Sequence, residues 1–167
     1  MKWRVLVALV PASVLLTLAS PAIPAAAAAP VATASYTIGY TCTSGPGCTP
    51  GTTYTHAYVL AVDCQGAITG TGSQAGAPDI QESVLGRLSF REDNRSVTVN
   101  LVSTYVGSFP GYTVTITGTV DPRTGALSGT ATTEWPGHPE ASASFDVTGT
   151  RDSFIVNPSA CDGDEDD

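Results

Sequence analysis

Residues 111–133 read GYTVTITGTVDPRTGALSGTATT and hold two runs of alternating residues around the segment DPRTG. Apolar residues and a glycine take the even positions of the first run, and threonines take the odd positions. This period of two is typical of a strand with one buried face. Pro122 suits the start of a four-residue hairpin loop, and Gly125 is expected to take the positive φ at its end. The resulting cross-strand pairs are Val120 with Leu127, Gly118 with Gly129 and Ile116 with Ala131.

The same alternation continues in other stretches of the chain. Short loops at residues 64–66 and 92–95 close two more hairpins, and ASFDVTGTR (residues 143–151) adds another strand. The expected neighbours are Val62 with Ile68, Leu60 with Gly70, Tyr58 with Gly72, Phe90 with Val97, Leu88 with Val99, Gly86 with Leu101, and Phe145 with Gly129. With SYTIGYTC (residues 35–42) as the first strand, the sequence predicts eight strands in a meander and no α-helix.

Several glycines interrupt these strands on the face that should be buried. They are Gly70, Gly86, Gly118, Gly129 and Gly149. In a flat sheet such glycines leave the buried face without side chains to pack, whereas in a sheet that closes on itself they relieve crowding on the concave side. Leu60, Leu101 and Phe145 are expected to cover the gaps. The predicted fold is therefore all-β, an eight-stranded antiparallel up-and-down meander closing as a barrel, with a β-sandwich as the alternative.

The N-terminus has the composition of an export signal. Lys2 and Arg4 precede an apolar run at residues 5–19, which is short for a bilayer span, and small residues follow. We predict a signal peptide at residues 1–28, an Ala/Pro-rich disordered leader at 29–34, a single domain at 35–161 and a disordered acidic tail at 162–167. The protein is expected to be secreted, with no membrane partner after processing; an uncleaved anchor is the alternative.

The chain is strongly acidic. Its formal net charge is −8, and loss of Lys2 and Arg4 with the signal peptide makes it −10. Because like charges repel, neither a nucleic acid nor an anionic membrane is an expected partner. The C-terminal DGDEDD lacks the ligand spacing and the glycine of an EF-hand loop. The sequence therefore predicts no metal and no cofactor.

The cysteines of the processed chain are Cys42, Cys48, Cys64 and Cys161. An even number in an exported protein indicates two disulfides, with three pairings open. Cys42 and Cys48 enclose only TSGPG, a turn-forming loop, which favours that pair and leaves Cys64 with Cys161. Zinc is the alternative, but the chain has no CxxC pair and only two histidines.

Two groups of residues are candidates for ligand binding. Tyr54, His56 and Tyr58 alternate inward near one end of the barrel, where Tyr112 is expected beside Tyr105. Tyrosines and an imidazole could orient a ligand in an apolar cup, or the phenols could simply cap the core. The loop EWPGHPE (residues 134–140) carries a tryptophan and a histidine stiffened by prolines. The candidate ligand-binding residues are Tyr54, His56, Tyr58, Tyr112, Trp135 and His138.

Trp135 has two interpretations. As an exposed anchor on a stiff loop it would lose little entropy on binding a partner. Alternatively, it folds back and plugs the end of the barrel. The loop VGSFPG (residues 106–111) either neighbours it or lies elsewhere.

Three segments, GAITGTG, YTVTITGTVDPRTGALSGTA and FDVTGTR, resemble the hairpins of calycin-type barrels, the class that includes avidins and lipocalins. The resemblance covers roughly residues 54–151 and implies an eight-stranded meander with a ligand in its open end. The processed chain keeps only Trp135, whereas avidin-type pockets are lined by several tryptophans. No ligand-binding residue and no biotin activity are therefore carried over.

Catalysis has little support in the sequence, which contains no GxSxG, HExxH, P-loop or Rossmann glycine pattern. We expect a protein that is not an enzyme. The leading hypothesis is a secreted, disulfide-stabilised barrel that binds a small molecule or a cell-surface component. The alternative is an extracellular structural or protein-interaction domain with a filled barrel and no ligand.

Overall fold

The computed structural model describes residues 30–90 and 96–161. The predicted signal peptide, the loop at 92–95 and the acidic tail at 162–167 lie outside the described residues. Within the described part of the chain, no helix is long and apolar enough to cross a membrane.

Eight antiparallel strands form a closed barrel in which each strand pairs with the next and the last pairs with the first. The strands are β1 (Ala32–Ser44), β2 (Thr53–Val62), β3 (Ala67–Gln74), β4 (Ala77–Phe90), β5 (Val97–Gly107), β6 (Thr113–Val120), β7 (Leu127–Glu134) and β8 (Ala143–Val156). Single 3₁₀ turns at Pro139–Ala141 and Pro158–Cys161 complete the described structure. The predicted up-and-down barrel is confirmed, and the β-sandwich is excluded.

The hairpin registers agree with the prediction. Val120 pairs with Leu127 and Gly118 with Gly129, and Gly125 has a φ of 75° in the loop between them. The predicted pairs of the β2–β3 and β4–β5 hairpins are also present. Turn chemistry and the alternation of apolar residues therefore determine these registers together.

Two predictions on strand position are wrong. Phe145 lies opposite Ala131, and the partner of Gly129 is Val147. Residues 135–142 between β7 and β8 contain a 3₁₀ turn, so this register does not follow from a short loop. In addition, residues 32–34, assigned to the leader, belong to β1, because Ala32 pairs with both neighbouring strands. Because the side chains of residues 32–34 are small, the sequence did not indicate that this segment is a strand held in place by backbone pairing.

The inward glycines leave room for larger neighbours, as expected. A Cβ added to Gly70 would lie 2.8 Å from Leu60 Cδ2, and one added to Gly86 would lie 2.6 Å from Leu101 Cδ2. Phe145 does not have the expected covering role. Leu127 fills the space beside Gly149, at 3.0 Å from an added Cβ. The barrel interior is thus built from leucines packed over glycines on adjacent strands.

A packed layer crosses the barrel at mid-height. Its side chains, which we call the middle layer, are Tyr58, Glu82, Val84, Ser103, Ile116 and Val147, each no more than 2% exposed. They line neither of the two cavities that open at opposite ends of the barrel. The end that holds the loops 45–52, 108–112 and 135–142 is called the aromatic end, and the other is called the apolar end.

One disulfide lies at each end. Cys42–Cys48 closes the loop after β1 at the aromatic end, and Cys64–Cys161 joins the loop after β2 to the final turn at the apolar end. The favoured pairing is therefore confirmed. The second bond closes a sequence separation of 97 residues and ties the end of the chain to the barrel.

Candidate functional site

The aromatic end contains a cavity of about 290 Å³. Its aromatic wall residues are Tyr40, Tyr54, Tyr105, Phe109, Tyr112, Trp135 and Phe145. Gln74 and Thr133 add polar atoms to the wall, and His56 lies among the lining residues. Strand alternation turns Tyr40, Tyr54, His56, Tyr105 and Phe145 inward, whereas the other aromatic side chains come from the loops 108–112 and 135–142.

The tyrosines of the β5–β6 hairpin form one side of this cavity. The backbone N–H of Tyr105 donates to the carbonyl of Tyr112 at 2.9 Å, and the two ring centroids are 4.8 Å apart in an edge-to-face arrangement. Burial raises the pKa of both phenols. Both side chains therefore stay neutral and can donate a hydrogen bond to a ligand.

Trp135 lies across the mouth of the cavity. Its indole N–H donates to the carbonyl of Pro110 at 3.2 Å, and its ring lies edge-on to Phe109 at 5.8 Å. His138 stacks on the outer side of the indole, with ring centroids 3.9 Å apart. The VGSFPG loop is therefore the neighbour of Trp135. The indole is partly buried and lines the cavity. It is therefore neither a fully exposed anchor nor a complete plug of the barrel end.

A buried carboxylate, Glu82, lies in the middle layer beneath His56, which lines the cavity. His56 Nδ1 lies 2.6 Å from Glu82 Oε1, and the Tyr58 hydroxyl donates to Oε2 at 2.7 Å. Ser103 also donates to Oε2. Tyr40 and Tyr58 share a hydrogen bond of 2.7 Å between their hydroxyls. Because each carboxylate oxygen has a partner, the buried charge is compensated.

The neighbours of Glu82 keep it ionised. Burial alone acts to raise the pKa of Glu82, but the hydrogen bond and charge of His56, with hydrogen bonds from Ser103 and Tyr58, outweigh it. The pKa of Glu82 is therefore held below its ordinary value. Burial raises the pKa of Tyr40 and Tyr58, so both phenols remain neutral beside the carboxylate.

This network determines what His56 offers to the cavity. An ionised carboxylate only accepts hydrogen bonds, so Nδ1 of the imidazole carries a proton and faces Glu82. The other ring nitrogen, Nε2, has no hydrogen bond to another described residue. Since His56 lines the cavity, Nε2 is available to a hydroxyl group inside it, which can both donate and accept a hydrogen bond.

The structure brings four of the six candidate residues around the cavity: Tyr54, His56, Tyr112 and Trp135. Tyr58 lies below it in the middle layer, hydrogen-bonded to Glu82. His138 lies behind Trp135, with Nδ1 at 3.0 Å from Glu140 Oε1. A role of these residues in binding remains a prediction.

Glu82 is not among the residues predicted from the sequence, although the pattern of β4 contains a signal for it. Ile80, Glu82, Val84, Gly86 and Leu88 share one parity along β4. A single acid among the inward positions of a strand indicates a buried, compensated charge, because an uncompensated one is costly. Its partners on β2 and β5 became apparent only from the closed barrel.

Comparisons of the chain with models of protein families, with curated proteins and with solved structures gave no significant match. The closed eight-stranded barrel is consistent with a calycin-like architecture.

Proposed function

We propose that this protein is a secreted, disulfide-stabilised binding module that holds a small aromatic molecule with a hydroxyl group in the cavity of the aromatic end. The observation that carries the proposal is the free ring nitrogen of His56, Nε2, at the floor of a cavity walled by aromatic rings. Such a pairing of an apolar cup with few oriented polar groups is typical of ligand sites.

The cavity walls favour a flat ring. Edge-to-face contacts already order the side chains, as between Tyr112 and Trp135, with centroids 6.4 Å apart, and between Tyr54 and Phe145, at 6.2 Å. A ligand ring extends the same packing. At about 290 Å³ the cavity suits a one-ring or two-ring molecule.

The polar floor favours a hydroxyl group. Glu82 holds the imidazole of His56 in one orientation, so Nε2 is preorganised before a ligand arrives. A bound hydroxyl gains a hydrogen bond to Nε2 without the entropy cost of ordering the ring. Removing the ligand's hydroxyl leaves Nε2 unpaired in an apolar site, which discriminates against simple hydrocarbons.

The described interior supports the binding module over a filled barrel. The middle layer packs only the centre, and both ends contain cavities. Two disulfides are typical of extracellular proteins, which agrees with the predicted signal peptide. N-terminal sequencing of the protein recovered from culture medium tests the secretion part of the proposal.

The matched pair phenol and toluene tests the binding site. Both fit the cavity, and only phenol can form a hydrogen bond with His56. We expect phenol to change the fluorescence of Trp135 and to bind about tenfold more tightly than toluene, the value of one hydrogen bond. The Trp135→Phe variant identifies the part of the signal that comes from this indole.

Replacement of Tyr112 by Ala is expected to weaken phenol binding several-fold by removing one wall. Tyr36→Phe, at the apolar end, is the control and should bind phenol like the wild type. No response of Trp135 to either probe, or a preference for toluene, would contradict the proposal.

A further inference from the structure

The apolar end holds a second cavity, of about 410 Å³, that belongs to no part of the site described above. Its walls are largely aliphatic, and the deepest wall residues include Ile38, Leu60, Ile68, Val99, Leu101 and Leu127. Such a surface favours an alkyl group over a polar one, because burial of methylene groups is favourable and burial of polar groups without partners is not.

A β-bulge turns Phe154 towards this cavity, beside the inward-facing Arg151. In the β1–β8 ladder Tyr36 pairs with Arg151 and Ser35 pairs with Ser153, so the register shifts at Asp152. The extra residue reverses the alternation of side chains along β8. As a result Arg151 and Phe154, three positions apart, both line the cavity.

Arg151 forms no salt bridge among the described residues, although its charge is near enough to help lower the pKa of the exposed Asp121. Its guanidinium lies 4.7 Å from the centre of the Phe154 ring and donates one hydrogen bond of 3.5 Å to the carbonyl of Arg123. The other charged lining residue, Asp63, uses its Oδ1 to accept from the backbone N–H groups of Gln65 and Ala67, at 2.9 and 2.8 Å. The guanidinium therefore keeps donors for a further acceptor.

Tyr36 adds a second donor beside Arg151. The two residues are direct cross-strand partners and both line the cavity. Burial raises the pKa of the Tyr36 phenol, and the charge of Arg151 acts against this rise. The hydroxyl has no hydrogen-bond partner within the described residues and stays protonated at neutral pH. A carboxylate could thus accept from a phenol and a guanidinium at once.

We propose that the cavity of the apolar end binds an amphipathic anion, an unbranched alkyl carboxylate, with its chain along the aliphatic wall and its head group against Arg151 and Tyr36. The site is separate from the aromatic one, because the middle layer lies between them. The negative charge of the chain as a whole does not oppose this binding strongly, since exposed acids beyond about 8 Å are screened at physiological salt.

Three probes with the same ten-carbon chain test the proposal: decanoate, decanol and decyltrimethylammonium, titrated calorimetrically into the full chain. We expect decanoate to bind at least tenfold more tightly than decanol and the ammonium to bind most weakly. Shortening the carboxylate should weaken binding about fourfold per methylene. Equal affinity for the three probes, or no binding of any, would overturn the proposal.

Variants then locate the head group. Arg151→Gln is expected to lose the preference for decanoate over decanol, and Arg151→Lys to retain part of it. Arg87→Gln is the matched control, because Arg87 is an exposed arginine on the outer face of β4 near the same end. The proposal is overturned if Arg151→Gln keeps the wild-type preference. A correct fold of each variant is checked by its thermal unfolding.

Trp135 separates this site from the proposed aromatic one. Decanoate at the apolar end should leave the Trp135 fluorescence unchanged, whereas a change would place the alkyl chain in the other cavity and overturn the assignment. Phenol binding and decanoate binding are measured independently, so failure of either proposal leaves the other standing.

Discussion

The two ends of the barrel share the same strands but differ in chemistry. Along β2, Tyr54 and His56 line the aromatic end, and Leu60 and Val62 line the apolar end. The alternation that turns these side chains inward is uniform, so it carries no information about which end is polar. The chemistry of each cavity depends on which residue types occupy a few inward positions of one repeating pattern.

The ends also differ in how a charge is accommodated. Among the described residues, each carboxylate oxygen of Glu82 has a hydrogen-bond partner from β2 or β5, whereas Arg151 has only a long hydrogen bond to a carbonyl and a ring contact. A compensated charge is part of the folded core. A charge that keeps unused donors at a cavity is suited to a ligand.

The largest expected effect is the loss of stability when a disulfide is removed, and its size should differ between the two disulfides. In the loop-entropy description, a bond stabilises more when it closes a longer loop, and the sequence separations are 97 for Cys64–Cys161 and 6 for Cys42–Cys48. Replacing Cys64 and Cys161 by Ser should lower the free energy of unfolding by about 4–5 kcal/mol, and the same change at the other pair by about 2–3 kcal/mol. Urea unfolding measures both, and equal losses would contradict the difference between the ends.

The buried carboxylate gives the next largest effect. Glu82→Gln removes the charge that accepts from His56, Tyr58 and Ser103, and should lower the free energy of unfolding by about 3 kcal/mol. Glu134→Gln, at an exposed position of β7, is the control and should change stability by no more than about 0.5 kcal/mol. Equal stability of the Glu82→Gln variant and the wild type in urea would show that the network contributes nothing to folding.

Inward and outward glycines should respond oppositely to alanine. A Cβ at Gly86 meets Leu101 Cδ2 at 2.6 Å, and Gly86→Ala should cost about 2 kcal/mol. At Gly39, on the outer parity of β1, the nearest atom is 3.5 Å away, so Gly39→Ala should be neutral or stabilise by up to about 1 kcal/mol. Thermal unfolding of both variants is the measurement. A Gly86→Ala protein as stable as the wild type would contradict a crowded, closed interior.

The smallest effect is the pH dependence. Because the pKa of Glu82 is lower in the folded state than the ordinary value of 4.5, its contribution to stability is present above about pH 4.5 and is lost as the pH falls through the folded value. The stability difference between wild type and Glu82→Gln should therefore shrink on acidification below pH 4.5. A difference that grows on acidification would show that the pKa of Glu82 is raised.

The parity of the strands and three hairpin registers could be predicted from the sequence, because local turn chemistry and alternation determine them. Arg151 follows Phe145, Val147 and Gly149 at the inward parity of β8, so its inward direction could also be predicted. The bulge at Asp152 and the pairing of Gly129 with Val147 could not be predicted, since they depend on strands that are distant in sequence or joined by an irregular loop.

The polar site shows the same limit. The inward positions of His56 and Glu82 follow from their own strands, but their contact requires the register between β2, β3 and β4 in the closed barrel. The contact at the mouth of the cavity is harder still to predict from the sequence, because Trp135 and Pro110 lie in two different loops that a hydrogen bond joins. Sequence patterns therefore indicate which residues can meet, and the closed topology determines which do.

The middle layer separates two cavities of different chemistry. A crystal structure of the protein with phenol and decanoate bound together would show whether the ligands are kept apart. We expect a ring beside His56, an alkyl chain ending at Arg151, and Tyr58 and Ile116 packed between them. One continuous ligand density through the centre of the barrel, or decanoate among the aromatic side chains, would contradict this expectation.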